Sequence, residues 1–207
     1  MPDLSKIYLY RMTHMENIPH ILQHGITHFT SANSNPNFLS IGDNSLISSR
    51  NSYVLNNGKN LGEYIPFYFG VRMPMLYVIQ HGFNMVLPTP PENIVYCVSS
   101  VQKIIDLQLD FMFTDGHAVD SFTTQYSRSD VASIDTLLDK RAINAKYWKD
   151  DNDLDMKRRK EAEFLVFGDI SYSSILGFIT YNESARDKLV NFGANRSIVL
   201  VKFGYYF

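Results

Sequence analysis

The residues with the clearest chemical potential lie between Lys157 and Phe167, where the sequence reads KRRKEAEFLVF. Four consecutive cations precede two carboxylates, Glu161 and Glu163, and an apolar run follows. Alternation with a period of two predicts a strand whose residues 161, 163, 165 and 167 share one face, so we expect both carboxylates on that face. A carboxylate at the mouth of a buried strand, beside a basic segment, suits a charged substrate. An ordinary strand with solvated first residues fits the same pattern, and these eleven residues alone do not distinguish the two interpretations.

Further residues with reactive side chains, His14, Arg50 and His117, each lie at the end of an apolar segment, as Glu163 does. Sites are often built where secondary-structure elements end together. Taken singly, such a histidine is usually only hydrogen-bonded and such an arginine is usually solvated. Metal binding is disfavoured because the six histidines show no HxH or HExxH spacing. A nucleophile elbow is absent from the sequence, and the single cysteine, Cys97, lies in an apolar strand-like run, so nucleophilic catalysis is poorly supported.

Positive charge is concentrated in residues 140–160, although the net charge of the chain is −2. Eight of the nineteen Lys and Arg lie in this segment, against four acidic residues. A local basic patch on a nearly neutral protein indicates a defined anionic partner. Within it, Lys146, Tyr147, Trp148 and Lys149 combine aromatic rings that can stack on a base with cations that can contact phosphates. Anchoring of a long connection to the core explains the Tyr147–Trp148 pair equally well.

The elements around these residues are short strands mixed with helices. The count is six to eight strands and three or four helices, without regular βαβ units and without a Gly-rich phosphate loop. This pattern favours an α+β fold with a mixed or antiparallel β core over a dinucleotide-binding fold. Strands are predicted at 6–13, from 66, and at 94–99, 111–114, 161–167, 174–181 and 197–203, and helical patterns at 15–24, 101–109, 129–144 and 183–192.

Length and composition predict a single domain spanning residues 1–207. Apolar residues make up 45% of the chain, which is typical of globular proteins with a sizeable core. The segment from Met1 to Arg11 lacks the apolar region of a signal peptide, and no apolar run approaches the length of a membrane span. We therefore expect a cytoplasmic protein without membrane contact.

Five motifs occur in order along the chain: YRMTH at 10–14, IGD at 41–43 followed by Leu46, Ile47 and Arg50, FGVRMPML at 69–76, TDGHA at 114–118 and RRKEAEFL at 158–165. Together they resemble the DarT family of bacterial DNA ADP-ribosyltransferases, the toxins of the DarTG toxin–antitoxin system. The resemblance spans essentially the whole chain, and its Arg-Arg-x-x-Ala-Glu-Phe pattern resembles the branch that modifies thymidine rather than the guanosine-directed branch.

This resemblance implies a compact ADP-ribosyltransferase fold and assigns roles to individual residues. Glu163 matches the catalytic glutamate of the family, and Arg50 matches an arginine that assists it and contacts NAD. His117 matches a histidine close to the reaction centre. The NAD contacts implied are Thr13, His14, Gly42 and Arg50. From the basic and aromatic residues of segment 140–160, the predicted DNA contacts are Lys146, Tyr147, Trp148, Lys149, Arg158 and Arg159.

The partners implied are NAD as the ADP-ribose donor, single-stranded DNA as the acceptor, and an antitoxin with an ADP-ribosyl-hydrolase macrodomain of the DarG type. We expect no metal and a monomeric protein. Two alternatives stay open at this point: transfer to RNA or protein, and a non-catalytic nucleic-acid-binding domain of the same fold.

Elementary chemistry agrees with the transfer of ADP-ribose from NAD to thymidine. Nicotinamide leaves NAD as a neutral molecule, so no acid is needed, and positive charge develops on the ribose instead. A carboxylate such as Glu163 stabilises that charge, as carboxylates do in glycosidases. The imide nitrogen of thymine is a poor nucleophile until its proton is removed, and a carboxylate near the acceptor can also serve as the base. Arg50 can polarise a base carbonyl or hold a phosphate.

Overall fold

The computed structural model describes residues 2–207 and contains one eight-stranded sheet with helices around it. The strands are β1 (Tyr8–His14), β2 (Tyr64–Tyr68), β3 (Ile94–Ser100), β4 (Phe111–Thr114), β5 (Gln125–Tyr126), β6 (Glu163–Phe167), β7 (Gly177–Thr180) and β8 (Val199–Val201). The helices are α1 (Ile18–His24), α2 (Asn44–Ser52), α3 (Pro74–His81), α4 (Val101–Asp106), α5 (Ile134–Leu137), α6 (Lys140–Asn144), α7 (Met156–Lys160) and α8 (Glu183–Asn191). The prediction of an α+β fold with a mixed sheet is confirmed.

The sheet has the strand order β5-β4-β6-β2-β1-β3-β7-β8, and every pair except the parallel β7–β8 pair is antiparallel. β1 pairs with β3 along its whole length, from Tyr8 to His14. With β2, in contrast, β1 shares the single pair Tyr10–Tyr68. The two central strands therefore separate beyond this pair, towards His14 of β1 and Tyr64 of β2, and the gap between them makes room for a cavity within the sheet.

Apolar side chains cover both faces of the sheet. One face carries a large core that includes Phe67, Phe111 and Phe164 and packs against α1 and α4. The other face packs against α3 and the C-terminal segment, where Tyr206 donates hydrogen bonds to two strand carbonyls. Cys97 is fully buried in the first core, and burial raises the pKa of its thiol to about 12. It is a structural residue, as the sequence indicates.

The opening unit of the chain follows the prediction closely. Strand β1 leads through a 3₁₀ turn into α1, and the amide of Gly25 donates to the carbonyl of Ile21 at 2.9 Å. Gly25 has a φ of 78°, and a Cβ at this position would lie 2.1 Å from the carbonyl oxygen of Ile170. Both the backbone conformation and the close approach of the neighbouring chain therefore require glycine here.

The segment from 129 to 144 differs from the single helical pattern that the sequence predicts. It forms a 3₁₀ turn at Arg128–Ser133 and then the two short helices α5 and α6. Leu138 adopts an extended conformation with φ −102° and ψ 136°, which ends α5. Asp139 then caps α6, because its carboxylate accepts a hydrogen bond from the amide of Ala142 at 3.0 Å. This break adds one helix to the predicted count, and α2, α3 and α7 are helices outside the four predicted segments.

The basic run before Glu163 also differs from the prediction. Lys157 to Lys160 lie in helix α7, and the strand starts at Glu163 instead of Glu161. Glu161 lies in the turn between the two elements, where its amide donates to carbonyls of α7. A glutamate in this turn does not belong to the alternating face of β6, so the expectation of two carboxylates on one strand face is wrong.

Among residues 2–207, no helix combines the length and apolar character required to cross a membrane.

Candidate active site

The main cavity, with a volume of about 560 Å³, opens where β1 and β2 diverge. Its walls come from both strands, from α1 and α2, and from the segment 27–43 between these helices. Arg11 spans the gap, and its Nη1 donates to the carbonyl of Pro66 at 3.0 Å. This contact replaces part of the missing strand pairing and holds the cavity open at a fixed width.

Glu163 and Arg50 form a buried ion pair at one end of this cavity. Arg50 Nη1 donates to Glu163 Oε1 at 3.0 Å, and Arg50 Nη2 donates to Glu163 Oε2 at 2.8 Å. The amide of Ala118 donates to Glu163 Oε1 at 2.9 Å. The side chain of Glu163 is 0% exposed, whereas that of Arg50 is 15% exposed and lines the cavity. Arg50 therefore covers Glu163 on the cavity side.

The electrostatic balance at Glu163 favours the carboxylate form. Burial alone would raise the pKa of the Glu163 carboxyl. The charge and hydrogen bonds of Arg50, with smaller contributions from His117 and the Ala118 amide, outweigh burial and lower this pKa below its ordinary value. The site consequently holds a fixed anion whose charge is balanced by a single guanidinium.

Three elements distant in sequence position this pair. Asp43 caps α2, accepting a hydrogen bond from the amide of Ser45 at 2.8 Å, and α2 carries Arg50 two turns later. Thr114 at the end of β4 accepts a hydrogen bond from the Glu163 amide at 3.1 Å and donates to the carbonyl of Gly116 at 2.7 Å. The buried threonine thus fixes the loop after β4 against the start of β6, which aims the Ala118 amide at the carboxylate.

Two further polar side chains line the cavity together with Arg50. Tyr68 lies directly opposite Glu163 in the β2–β6 register and lines the cavity. His117 also lines it, and burial lowers the pKa of its imidazole although the nearby Glu163 opposes this effect. His117 is therefore neutral at physiological pH and can both donate and accept a hydrogen bond.

The residues expected to bind NAD do not all reach the cavity. Thr13, Gly42 and Arg50 line it. His14 does not: its Nδ1 accepts a hydrogen bond from the Glu16 amide at 3.2 Å and caps the 3₁₀ turn after β1. His14 is the last residue of β1, and its side chain is engaged by the turn that follows the strand.

Sequence reasoning did not single out Arg11, Asn17, His28 or Tyr68, which all line the cavity. Arg11 was detectable in principle, since it shares a strand face with Thr13. Asn17 donates to the Thr13 hydroxyl at 3.0 Å and exchanges hydrogen bonds of 2.9 Å with the backbone of Leu39, so it ties the cavity wall to β1. Pairing across such a distance carries no local sequence signal.

The basic segment separates the two members of its aromatic pair. Trp148 is partly buried and packs edge-to-face against Tyr77 and Phe207, with ring centroids 5.7 and 5.8 Å apart. Tyr147 is 59% exposed and lies beside Lys146, whose Nζ is 5.6 Å from the ring centroid. Trp148 therefore has the anchoring position, and Tyr147 has the position available for stacking.

Arg158 and Arg159 differ in placement from free cations on a DNA-binding face. Arg158 forms ion pairs with Asp115 at 2.9 Å and with Asp155 at 2.7 Å, and Arg159 pairs with Asp139, Asp153 and Asp155. The aspartate-rich stretch 150–155 folds back onto α7, so its Asp153 and Asp155 pair with these arginines. Arg158 also packs against Gly116, where a Cβ would lie 2.4 Å from its Nη1. It braces the loop that carries His117 and Ala118.

Lys160 is fully buried without a carboxylate partner. Its Nζ donates to the carbonyls of Ala145 at 2.7 Å, Ile143 at 3.1 Å and Val71 at 3.4 Å. Burial lowers its pKa to about 8. This lysine fastens the end of α6 and the turn after β2 to the helix that precedes Glu163.

No three His, Cys, Asp or Glu side chains within residues 2–207 converge as a metal site requires.

Comparison with known proteins gives a consistent result. Residues 10–207 match the family described as ssDNA thymidine ADP-ribosyltransferase, DarT. A DNA ADP-ribosyl transferase of Escherichia coli O127:H6 (strain E2348/69) is 31% identical, in an alignment covering 98% of this chain and 94% of that protein.

Solved structures extend the similarity to the fold. Thermus sp. 2.9 DarT, 28% identical, has been solved with NAD+ (TM-score 0.79, covering 100% of this chain and 99% of that one). It has also been solved with ADP-ribosylated ssDNA (TM-score 0.83, covering 100% and 98%). Thermosipho africanus DarTG in complex with ADP-ribose is 25% identical with a TM-score of 0.80, covering 97% of this chain and 51% of that one. Because the match extends over nearly the whole sequence and the whole fold, this chain belongs to the DarT family of ssDNA thymidine ADP-ribosyltransferases.

Proposed function

We propose that this protein transfers ADP-ribose from NAD to a thymidine base of single-stranded DNA and releases nicotinamide. The observation that carries the proposal is the buried Glu163 carboxylate, held by Arg50 and the Ala118 amide at the end of a cavity of about 560 Å³. Relatives solved with NAD+ and with ADP-ribosylated ssDNA support the same donor and acceptor.

The cavity suits the donor. Beyond Tyr10, the edge of β1 that faces β2 has no strand partner, so its backbone groups are available to bind the carboxamide of nicotinamide. Thr13 and Gly42 provide a hydroxyl and an unhindered backbone on the same wall. Apolar side chains such as Phe38 and Ile47, both more than 40% exposed, line the mouth and can cover an aromatic base.

The reaction breaks the bond between C1″ of the ribose and the nicotinamide nitrogen. The bonding electron pair leaves with nicotinamide, which becomes neutral, while positive charge develops at C1″. We assign stabilisation of this charge to Glu163, whose lowered pKa keeps it ionised. A preorganised charge of this kind typically contributes on the order of 10²–10³ in rate.

Access to Glu163 requires a rearrangement of Arg50. Oε2 of the carboxylate is bound by Arg50 Nη2, whereas Oε1 also has the Ala118 amide. Release of Oε2 frees one oxygen for the ribose 2″-hydroxyl without leaving the carboxylate unsupported. The guanidinium, which already lines the cavity, is then free to hold a base carbonyl or a phosphate.

For the DNA strand, we assign stacking to Tyr147 and phosphate contacts to Lys146 and Lys149, which are exposed. Trp148 supports this segment from behind. We assign Arg158 and Arg159 to positioning of the loop after β4, because aspartates already hold their guanidinium groups.

We also propose that the protein partner is an antitoxin with an ADP-ribosyl-hydrolase macrodomain. A Thermosipho africanus relative described as a DNA ADP-ribosyl transferase–DNA ADP-ribosyl glycohydrolase fusion protein supports this pairing of activities. The fusion joins in one chain the transfer of ADP-ribose to DNA and its removal. This protein accordingly acts as the toxin of such a pair.

The test is mass spectrometry of oligonucleotides after incubation with the protein and NAD. A single-stranded oligonucleotide with one thymine should gain one ADP-ribose unit. The matched duplex should not react, because the imide nitrogen lies at the centre of the base pair and extrusion costs a few kcal/mol. Uracil, which keeps the imide, should be accepted in part, and cytosine should fail. Modification of RNA or protein instead, equal modification of the duplex, or NAD-independent binding alone would contradict the proposal.

A further inference from the structure

A run of aromatic rings connects the Tyr147 segment to the loop after α3, and the proposed function uses only the Tyr147 end of it. Phe83 follows α3, and its ring lies nearly parallel to the ring of Tyr77, with centroids 5.6 Å apart and 14° between the planes. Tyr77 packs edge-to-face against Trp148, whose centroid is 5.7 Å away and which directly follows Tyr147 in the chain. Phe83 is 49% exposed, so it ends this run of rings at the surface.

Helix α3 places these rings beside the main cavity. Met75 and Ile79 lie one helical turn apart and line the cavity. Tyr77 and His81 each come two residues after one of them, which turns their side chains to the opposite side of the helix. Their rings stack on each other there, with centroids 4.0 Å apart. An α-helix with its side chains is about 10–12 Å wide, so the rings lie roughly one helix width from the cavity.

The loop after α3 holds apolar side chains in solvent. Met85 and Leu87 are 100% and 84% exposed. Asn84 and Met85 adopt left-handed backbone conformations with φ of 55° and 60°, which cost energy in residues other than glycine and are concentrated at functional sites. The carbonyl of Phe83 accepts a hydrogen bond from the amide of Val86 at 3.0 Å, which closes the turn. Exposed apolar side chains grouped in this way indicate an interaction surface.

The charges around the rings favour a polyanion as the partner. Residues 64–91 contain no aspartate or glutamate, so neither α3 nor the loop after it carries a side chain that repels phosphate. Arg72 lies against two rings, with its Cζ 4.1 Å from the centroid of Phe207 and 5.7 Å from that of Tyr147. Lys146 is exposed beside Tyr147. Aromatic faces interspersed with cations are the pattern by which proteins bind a single strand without reading its sequence, and exposed Met and Leu side chains can insert between bases.

We propose that a second base of the DNA strand, outside the reactive thymidine, stacks on Phe83. The strand then follows the rings from Tyr147 to the loop after α3, with its phosphates facing Arg72, Lys146 and Lys149. Stacking on this surface adds affinity and leaves the transfer chemistry unchanged, because Phe83 is not among the residues of 2–207 that line the cavity. Strands that extend beyond the thymine on one side should therefore bind more tightly than short strands. This inference rests on the proposed transfer to single-stranded DNA.

The first test compares the shortest thymine-containing strand that the wild type modifies with the same strand extended by adenines on one side or the other. Fluorescence anisotropy should show that the wild type binds one of the extended strands more tightly. Phe83→Ala should bind that strand about 5–150-fold more weakly, which corresponds to the loss of one stacked base, and should bind and modify the short strand as the wild type does. Phe203→Ala is the matched control, since it removes another phenylalanine, 68% exposed beside Tyr181, and should retain the gain from the extension.

Two further substitutions distinguish stacking from a general apolar contact. Phe83→Trp keeps an aromatic face and should retain the gain from the extension, whereas Phe83→Leu keeps apolar volume without a ring and should lose it. An abasic nucleotide at the stacked position should abolish the gain in the wild type and should have no further effect in Phe83→Ala. Unchanged modification of the short strand shows that each variant is folded.

The outcomes separate this inference from the proposed function. If the wild type modifies the thymine but binds short and extended strands equally, no second base is bound and the inference is wrong. It is equally wrong if Phe83→Leu retains the gain, or if Phe83→Ala weakens binding of the short strand as much as that of the extended one. If the wild type modifies no thymine in any strand, the proposed function itself fails.

Discussion

The buried ion pair and the basic segment 140–160 both drew attention by charge, but they use charge in opposite ways. Glu163 has one cationic partner, no exposure, and hydrogen bonds to both oxygens. In the basic segment, Arg141, Arg158 and Arg159 are each shared among two or more aspartates near the surface. We propose that the first charge is held in place for chemistry, whereas the arginines of the second join neighbouring segments through ion pairs.

This difference shows that the number of charges in a segment says little about which of them can act on a ligand. Surface ion pairs contribute little stability singly, whereas a buried pair is costly to break. The partners of each charge decide its role, and these partners come from distant parts of the chain.

The largest effect should come from Glu163→Gln, which keeps the shape of the side chain but removes its charge. Transfer and NAD hydrolysis should both fall by at least about 10²–10³-fold. Binding of NAD, measured by calorimetry, should change far less. Glu183→Gln, at a side chain that is 64% exposed, is the control and should retain activity. Loss of the buried partner of Arg50 also costs on the order of 3–5 kcal/mol in stability, so thermal unfolding has to show that the variant is folded at the assay temperature.

Next in size is the stability loss expected for Lys160→Met. Three backbone carbonyls lose a charged donor, and leaving buried acceptors unsatisfied costs roughly 1–3 kcal/mol each before relaxation. Unfolding in urea should show a decrease of several kcal/mol. Lys157→Met, in the same helix but exposed, should remain within about 0.5 kcal/mol of the wild type. Equal stability of both variants would show that Lys160 does not fasten this region.

Substitution of Tyr147 and substitution of Trp148 should give two different phenotypes. Tyr147→Ala should weaken binding of single-stranded DNA by about 1–3 kcal/mol, the usual value for a stacked base, without lowering the unfolding temperature. Trp148→Ala should lower that temperature, because its ring packs against Tyr77 and Phe207. Fluorescence anisotropy with a labelled oligonucleotide and thermal unfolding distinguish the two. A lower unfolding temperature in Tyr147→Ala, with weaker DNA binding but unchanged stability in Trp148→Ala, would contradict the roles inferred from the positions of the two rings.

The smallest effect concerns the salt dependence of DNA binding. Each phosphate contact removed from a single strand should lower the slope of log K against log salt by about 0.7. Lys146→Ala combined with Lys149→Ala should therefore reduce it by about 1.4. Arg158→Ala combined with Arg159→Ala should leave the slope nearly unchanged, although transfer should decrease because the loop after β4 loses its brace. A larger slope change for the arginine pair would place those cations on the DNA.

The sequence predicted the elements that show a local pattern, such as β1, α1 and α8. It also singled out Glu163, Arg50 and His117, because each ends an apolar segment. The contacts between them could not be predicted from spacing, since 113 residues separate Arg50 from Glu163.

The predictions from the sequence were wrong where contacts with distant residues override a local sequence pattern. Alternation extended the strand back to Glu161, whereas the burial of Lys160 against three carbonyls turns the basic run into helix α7. The acidic residues of segment 140–160 carry no local sign of their partners, but Asp153 and Asp155 pair with Arg159.

In the proposed mechanism Arg50 and Glu163 act as one unit, and a double-mutant cycle tests this directly. Transfer rates to a thymine-containing single strand would be measured by mass spectrometry for the wild type, Arg50→Gln, Glu163→Gln and the double variant. Residues that act as a unit show strongly non-additive losses. The double variant should be about as slow as Glu163→Gln alone. Losses that multiply in the double variant would contradict the account, because the two residues would then act independently.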